Sequence, residues 1–155
     1  MAFRVTMMLA DAAQAVDNKL YIIGGGWSIT GPDPAPSAIA IQIKVPWDEA
    51  NQRHRMRLEL LDTDGANVMI ECPTGDEPIV VENDFEVGRP PGIKPGTPIE
   101  LGLALNIGPL PLEPGNRYEW RLHIGADTRE EWTLPFSTRE QQPTNGEPAS
   151  SSDAS

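Results

Sequence analysis

The chain has 155 residues, a formal net charge of −11 and a single cysteine, Cys72. That length supports one self-sufficient core, and a lone cysteine cannot close an internal disulfide. The acidic excess argues against a partner recognised through its phosphate backbone, because such binding needs a basic stripe. Basic residues gather only at Arg53-His54-Arg55 with Arg57, where they alternate along a strand-like run and read as solvated charge.

No apolar run approaches the ~18–20 residues of a membrane helix. The opening residues, with Thr6 and Asp11 interrupting them, lack the hydrophobic region and cleavage site of a signal peptide. The expectation is a soluble, cytoplasmic protein with no membrane and no nucleic-acid partner.

Phe3, Val5, Met7 and Leu9 alternate with Arg4, Thr6 and Met8, the period of two that marks a strand. The strand ends at Asp11, and the chain turns through Val16-Asp17-Asn18. A second strand, Leu20 to Ile23, returns beside it as a hairpin with a loop of several residues. Ala12-Ala13-Gln14-Ala15 within that loop could form one helical turn. Gly24, Gly25 and Gly26 follow, then Trp27. Glycine loses most entropy on ordering and packs nothing, so a triplet implies a bulge or a close backbone approach.

Gly31 to Pro36 is a proline-rich loop. Ile39, Ile41, Ile43 and Val45 form a strand closed by Pro46, and Trp47 to Asn51 is a connector with room for one helical turn. His54, Met56, Leu58 and Leu60 give a strand with one wet face, the pattern of antiparallel sheets. Asp62-Thr63-Asp64-Gly65 is a tight turn, from which Val68 to Ile70 returns as the partner strand. A turn at Pro73 to Asp76 precedes a strand from Ile79 toward Phe85. Gly88 to Pro98 is a long loop rich in proline and glycine, a kind that is often functional.

Ile99 to Ile107 shows the cleanest alternation. Tyr118, Trp120, Leu122 and Ile124 give another strand, and a turn at Gly125-Ala126-Asp127 leads to Trp132, Leu134 and Phe136. From Gln141 onward no large apolar residue occurs, which predicts a disordered tail. The pattern as a whole predicts an all-β chain of about seven to nine strands. An antiparallel β-sandwich, immunoglobulin-like or C2-like, would span residues 1–138, with an acidic Ser/Pro-rich tail over 139–155. A small barrel is the alternative.

Catalytic chemistry is hard to find. His54 falls on the apolar face of its strand and His123 on the polar face of another, and Cys72 has no basic neighbour to lower its pKa. The glycine triplet stands where a phosphate loop would, but no Lys-Ser/Thr follows it. Asp62 and Asp64 copy the first carboxylates of a calcium loop without its full spacing, and Asp76, Glu77, Glu82 and Asp84 could pool with them. Trp120 and Trp132 read as core, whereas Trp47 is the tryptophan placed for exposure.

Asp11 and the run Lys19-Leu20-Tyr21-Ile22-Ile23-Gly24-Gly25-Gly26-Trp27 resemble an uncharacterised bacterial, actinobacterial-type family of small β-sandwich proteins. Its members open with a strand ending in Asp and then a GKL-x-I-x-G strand, with Asn18 here in place of the usual glycine. The Pro-containing loop, the Asp62 to Gly65 turn and the closing hairpin are also similar. The resemblance implies a mostly-β cytoplasmic fold; the family carries no assigned activity or ligand.

The reading is therefore a non-enzymatic protein-interaction module with no cofactor. Candidate contact residues are Gly24, Gly25, Gly26, Trp27, Trp47, Arg89 and Lys94. A calcium- or small-ligand-binding domain is the second reading, and an unrecognised hydrolase the third.

Overall fold

The computed structural model describes residues 2–141, so most of the expected acidic tail lies outside the described residues. Among the described residues the chain is all-β, with several sheets and one short 3-10 turn, Trp47–Glu49. Twelve strands occur among the described residues. They are β1 (Arg4–Ala10), β2 (Ala12–Val16), β3 (Lys19–Ile23), β4 (Ile29–Thr30), β5 (Ser37–Val45) and β6 (His54–Leu61). After them come β7 (Met69–Cys72), β8 (Gly75–Pro78), β9 (Val80–Phe85), β10 (Ile99–Ile107), β11 (Arg117–Ile124) and β12 (Asp127–Thr138). The count exceeds the expected seven to nine because β2, β4, β7 and β8 are too short to show a period of their own.

One main sheet has the order β1-β5-β10 and the other β4-β12-β11-β6-β9, with β2-β3 and β7-β8 as separate hairpins. The pairings are antiparallel except β4 on β12. Both main sheets feed one core. Ile39, Ile41, Ile43 and Val45 from β5 meet Met56, Leu58, Leu60, Trp120, Leu122 and Trp132 from the other sheet, all essentially buried. Trp120 and Trp132 are thus core residues, as their strand faces imply. No helix among the described residues is long and apolar enough to cross a membrane.

Two pairings differ from the sequence expectation. β1 does not pair with the strand at Leu20 but with β5, aligning Val5 with Ile43, Met7 with Ile41 and Leu9 with Ile39. Apolar side chains meet directly across that ladder, which is where sheet stability arises. The strand at Leu20 takes β2 as its partner instead, so Ala12 to Ala15 are extended and not a helical turn. Asp17 and Asn18, at φ 52° and 60°, form a two-residue turn of the kind that matches strand twist and locks Val16 opposite Lys19. The second difference follows the Asp62 turn. Val68 donates back to the Leu60 carbonyl, but β7 then leaves to pair with β8.

The β2-β3 hairpin folds over the outer face of the three-stranded sheet. Small side chains permit the approach: Ala13 packs with Ala10, Ala38 and Ala40, and Leu20 and Ala104 border them. The Asn106 amide closes the contact, accepting the Ala13 N–H and donating to the Ala13 carbonyl at 3.3 and 2.9 Å. Gly102 lies directly beneath the hairpin turn, where a Cβ would stand 2.9 Å from the Asn18 carbonyl oxygen. Gly102→Ala is expected to lift the hairpin at a cost of about 1–3 kcal/mol. Urea unfolding would read the loss, and hydrogen exchange should quicken selectively at residues 12–23.

Candidate functional site

The Asp11 to Trp27 stretch proves to be a crossing. The Asp11 amide donates to the carbonyls of both Ile23 and Gly24, at 3.0 and 3.2 Å. Its carboxylate lies where a Gly24 side chain would be, and Gly24 has φ +63°, so a Cβ there is excluded twice over. Gly25 is confined differently: a Cβ would press on Ile22 and on the Met8 sulfur at 2.6 and 2.8 Å. Gly24 and Gly25 therefore sit at close approaches, whereas Gly26 has open space around it and a φ of +90°, and the triplet leads into no helix. Gly26 then donates to the Leu9 carbonyl at 2.7 Å, and Ser28 accepts from the Ser137 amide at 2.8 Å. Trp27 is pinned between a strand of each main sheet, its indole edge-on to Phe136 at 6.3 Å. Gly24→Ala should destabilise by about 1–3 kcal/mol. Thermal unfolding of Gly24→Ala with and without Asp11→Ala would show partial recovery in the double variant.

The hairpin also presents an apolar surface. Tyr21 and Ile23, on its outward face, are 54 % and 69 % exposed, and Val16 beside them is exposed as well. Met8 and Ile22 continue the patch around Gly25. Because the Ala13 peptide groups face Asn106, Ala13 and Ile22 form a non-hydrogen-bonded pair, and the Ile22 N–H and C=O point away from β2. Leu20, opposite Ala15, alternates the same way. Among the described residues these groups have no backbone partner, so β3 is an open edge.

The other sequence candidates lie at the far end of β5, a nine-residue strand spanning roughly 30 Å. Trp47 is half-buried beneath Arg89, whose guanidinium stacks 4.3 Å from the ring centroid and donates to the Trp47 carbonyl at 2.7 Å. Cation–π contact and hydrogen bond together clasp the 88–98 loop to the 3-10 turn. Lys94 is exposed, its carbonyl accepting from the Thr97 amide and hydroxyl. The structure thus separates Gly24, Gly25, Gly26 and Trp27 from Trp47, Arg89 and Lys94.

A polar cluster that sequence reasoning did not assemble sits on the outer face of the five-stranded sheet. β11 register places Arg121 opposite Glu59 and His123 opposite Arg57. His123 Nε2 donates to the Glu59 carboxylate at 2.5 Å, and Asn67 donates to its other oxygen at 3.0 Å. Burial raises the Glu59 pKa, but the Asn67 and His123 hydrogen bonds and the charges of His123 and Arg57 outweigh it, leaving the carboxyl below its ordinary 4.5. A depressed carboxylate stabilises the fold above its unfolded value, and that contribution is lost as pH falls through the folded one. Glu59→Gln should therefore flatten the acid limb of stability below about pH 4.5. Urea midpoints measured from pH 7 to 3 would test it.

His54 is apart from this cluster, packed edge-on to Phe3 with centroids 5.0 Å apart and bonded to the Glu49 carbonyl. The Asp62 carboxylate is occupied by the amides of Asp64 and Ala66 at 2.9 and 3.0 Å, a turn-stabilising role. Glu82 and Asp84 both face Arg55. Among the described residues no group of three or more His, Cys, Asp or Glu side chains converges.

A family model, described as a family of unknown function (DUF6941), matches residues 5–137. The chain belongs to that family. The match runs from the first strand of the DUF6941 region through all but the last residue of β12, so it includes the crossing, the hairpin and the Glu59 cluster. No curated protein and no solved structure matches the chain.

Proposed function

We propose that this member of the family is a non-catalytic, cytoplasmic β-sandwich that binds another protein by strand addition at the β2-β3 hairpin. The observation that carries the reading is the open edge of β3 beside exposed Tyr21 and Ile23. Edge strands of this kind offer unpaired peptide groups to a partner strand, with alternate side chains supplying selectivity. The two main sheets sharing one core support the sandwich, and the lone half-buried thiol of Cys72 fits a reducing compartment.

Charge bears on the partner. A net charge of −11 sets a second copy at a disadvantage and favours a strand carrying apolar residues flanked by lysine or arginine. Arg89, which already serves Trp47, is a weaker contact candidate than the hairpin.

The test is affinity purification from the native host at low salt, using the wild type, Tyr21→Glu/Ile23→Glu and Arg89→Ala. A stoichiometric basic partner should accompany the wild type and Arg89→Ala and fall at least about tenfold with the hairpin variant. Melting temperature should hold, because both substituted side chains are exposed. Retention by the hairpin variant, or an empty eluate from folded wild type, would sink the proposal.

A further inference from the structure

β10 is an edge strand without a guard. It pairs with β5 alone, through nine consecutive residues and no register shift. In such a ladder alternate residues turn their N–H and C=O groups away from the neighbour. On β10 those groups have no backbone partner among the described residues. Natural edges are usually blunted by lysine, proline, a bulge or clustered charge. The other edges have such devices: β3 begins at Lys19, and β9 carries Glu82 and Asp84, both facing Arg55. β1, across the same sheet from β10, lies against β12. β10 holds one charge, Glu100, and no lysine or proline.

The strand also reads nearly the same in both directions. Ile99-Glu100-Leu101-Gly102-Leu103-Ala104-Leu105-Asn106-Ile107 mirrors itself about Leu103. Its core-facing side chains are all aliphatic, and Leu103, Leu105 and Ile107 among them are only half-buried. A twofold interface requires a surface that fits its own copy, residue i on j and j on i. Antiparallel pairing of two β10 strands centred on Leu103 would set Ile99 opposite Ile107, Leu101 opposite Leu105, Gly102 opposite Ala104 and Glu100 opposite Asn106. A slip of one residue would turn the aliphatic row to the wrong face.

Charge permits this register. The two Glu100 carboxylates would stand six residues apart along the ladder, about 20 Å, against a screening length of about 8 Å in physiological salt. The net charge of −11 opposes association at longer range, so added salt favours the pair. Residues 142–155 contain no large apolar side chain with which the chain could cover the row itself.

We propose that two copies of the chain join through β10, merging their three-stranded sheets into one six-stranded sheet around a twofold axis at Leu103. The second copy completes the burial of Leu103, Leu105 and Ile107 and pairs the peptide groups that β5 leaves open. This interface is separate from the β3 edge and uses neither Tyr21 nor Ile23.

Sedimentation velocity of the full chain tests it. The sedimenting mass should rise with concentration from 16.9 kDa to twice that and stop there. The dissociation constant should be on the order of 10 µM at about 0.5 M salt and at least about threefold weaker at about 0.05 M. Leu103→Arg sets two cations face to face on the axis and should weaken the pair at least about thirtyfold. Tyr21→Glu/Ile23→Glu should dimerise as the wild type does.

Cysteine cross-linking in a Cys72→Ser background reads the register. Leu103→Cys should form a disulfide with its own copy, because facing Cα atoms in a ladder lie about 4.5–5.5 Å apart. Leu105→Cys should not, its copy being about 14 Å away. Because substitutions in β10 could unfold the chain, hydrogen exchange of the wild type gives a separate reading: alternate amides of residues 99–107 should slow as concentration rises. A wild type that stays monomeric at about 200 µM with those amides unchanged would overturn the proposal. So would growth beyond two copies, a dimer that survives Leu103→Arg, or equal cross-linking at the two cysteines.

Discussion

The fold depends on the space left empty at Gly24. The Asp11 carboxylate occupies the volume a side chain would need, and the positive φ of Gly24 turns the chain out of the hairpin. From that turn Gly26 reaches Leu9, and Ser28 reaches Ser137, so a short irregular segment fastens β1 of one main sheet to β12 of the other. Each backbone hydrogen bond contributes only about 0.5–1.5 kcal/mol. Their joint effect is geometric, because they hold Trp27 over Phe136 and set the end wall of the core. The Asp11 to Trp27 stretch is thus a structural joint.

The same joint has consequences on both sides of it. Toward the N-terminus it lays β2-β3 across the alanine-rich outer face of the three-stranded sheet, with Asn106 acting as a surrogate strand for Ala13. Because Ala13 and Leu20 take the face that meets the sheet, strand alternation turns Tyr21 and Ile23 to the other face and leaves them exposed. Toward the C-terminus it holds the Trp27 ring in the lining of a small cavity, with the indole Nε1 buried and unpaired among the described residues. Stability of the crossing and exposure of apolar surface therefore arise from one packing arrangement.

The opposite end of β5 is held by different chemistry. Arg89 on Trp47 gathers a proline- and glycine-rich loop onto the 3-10 turn. Loops of that composition cannot form a ladder, so the stacked guanidinium, the Thr97 hydrogen bonds to the Lys94 carbonyl and the packing of Ile93 on the core tie the loop down. The Glu59, Asn67 and His123 network ties the Asp62 turn to β6 and β11 in a comparable way. Both are local clamps around a core that the aliphatic residues of β5 and β6 and the two core tryptophans would form regardless.

What the sequence by itself determined is the set of long strands and their buried faces. Ile39 to Val45, His54 to Leu60 and Ile99 to Ile107 announce themselves because burying one face of a pleated strand imposes a period of two. The turn at Asp62 and the glycine requirement near Trp27 were legible for similarly local reasons. Partner choice was not. Whether β1 pairs with β3 or β5 depends on matching apolar ladders across nearly thirty intervening residues, which no local pattern encodes. Ala12 to Val16 show no alternation, since small residues suit several conformations until a neighbouring sheet selects one. The meeting of Glu59 with His123, the Arg89 clasp and the unpaired Trp27 N–H were decided by tertiary structure alone. Each joins residues brought together by sheet register or loop closure, and neither distance nor direction in space is written in the spacing of residues along the chain.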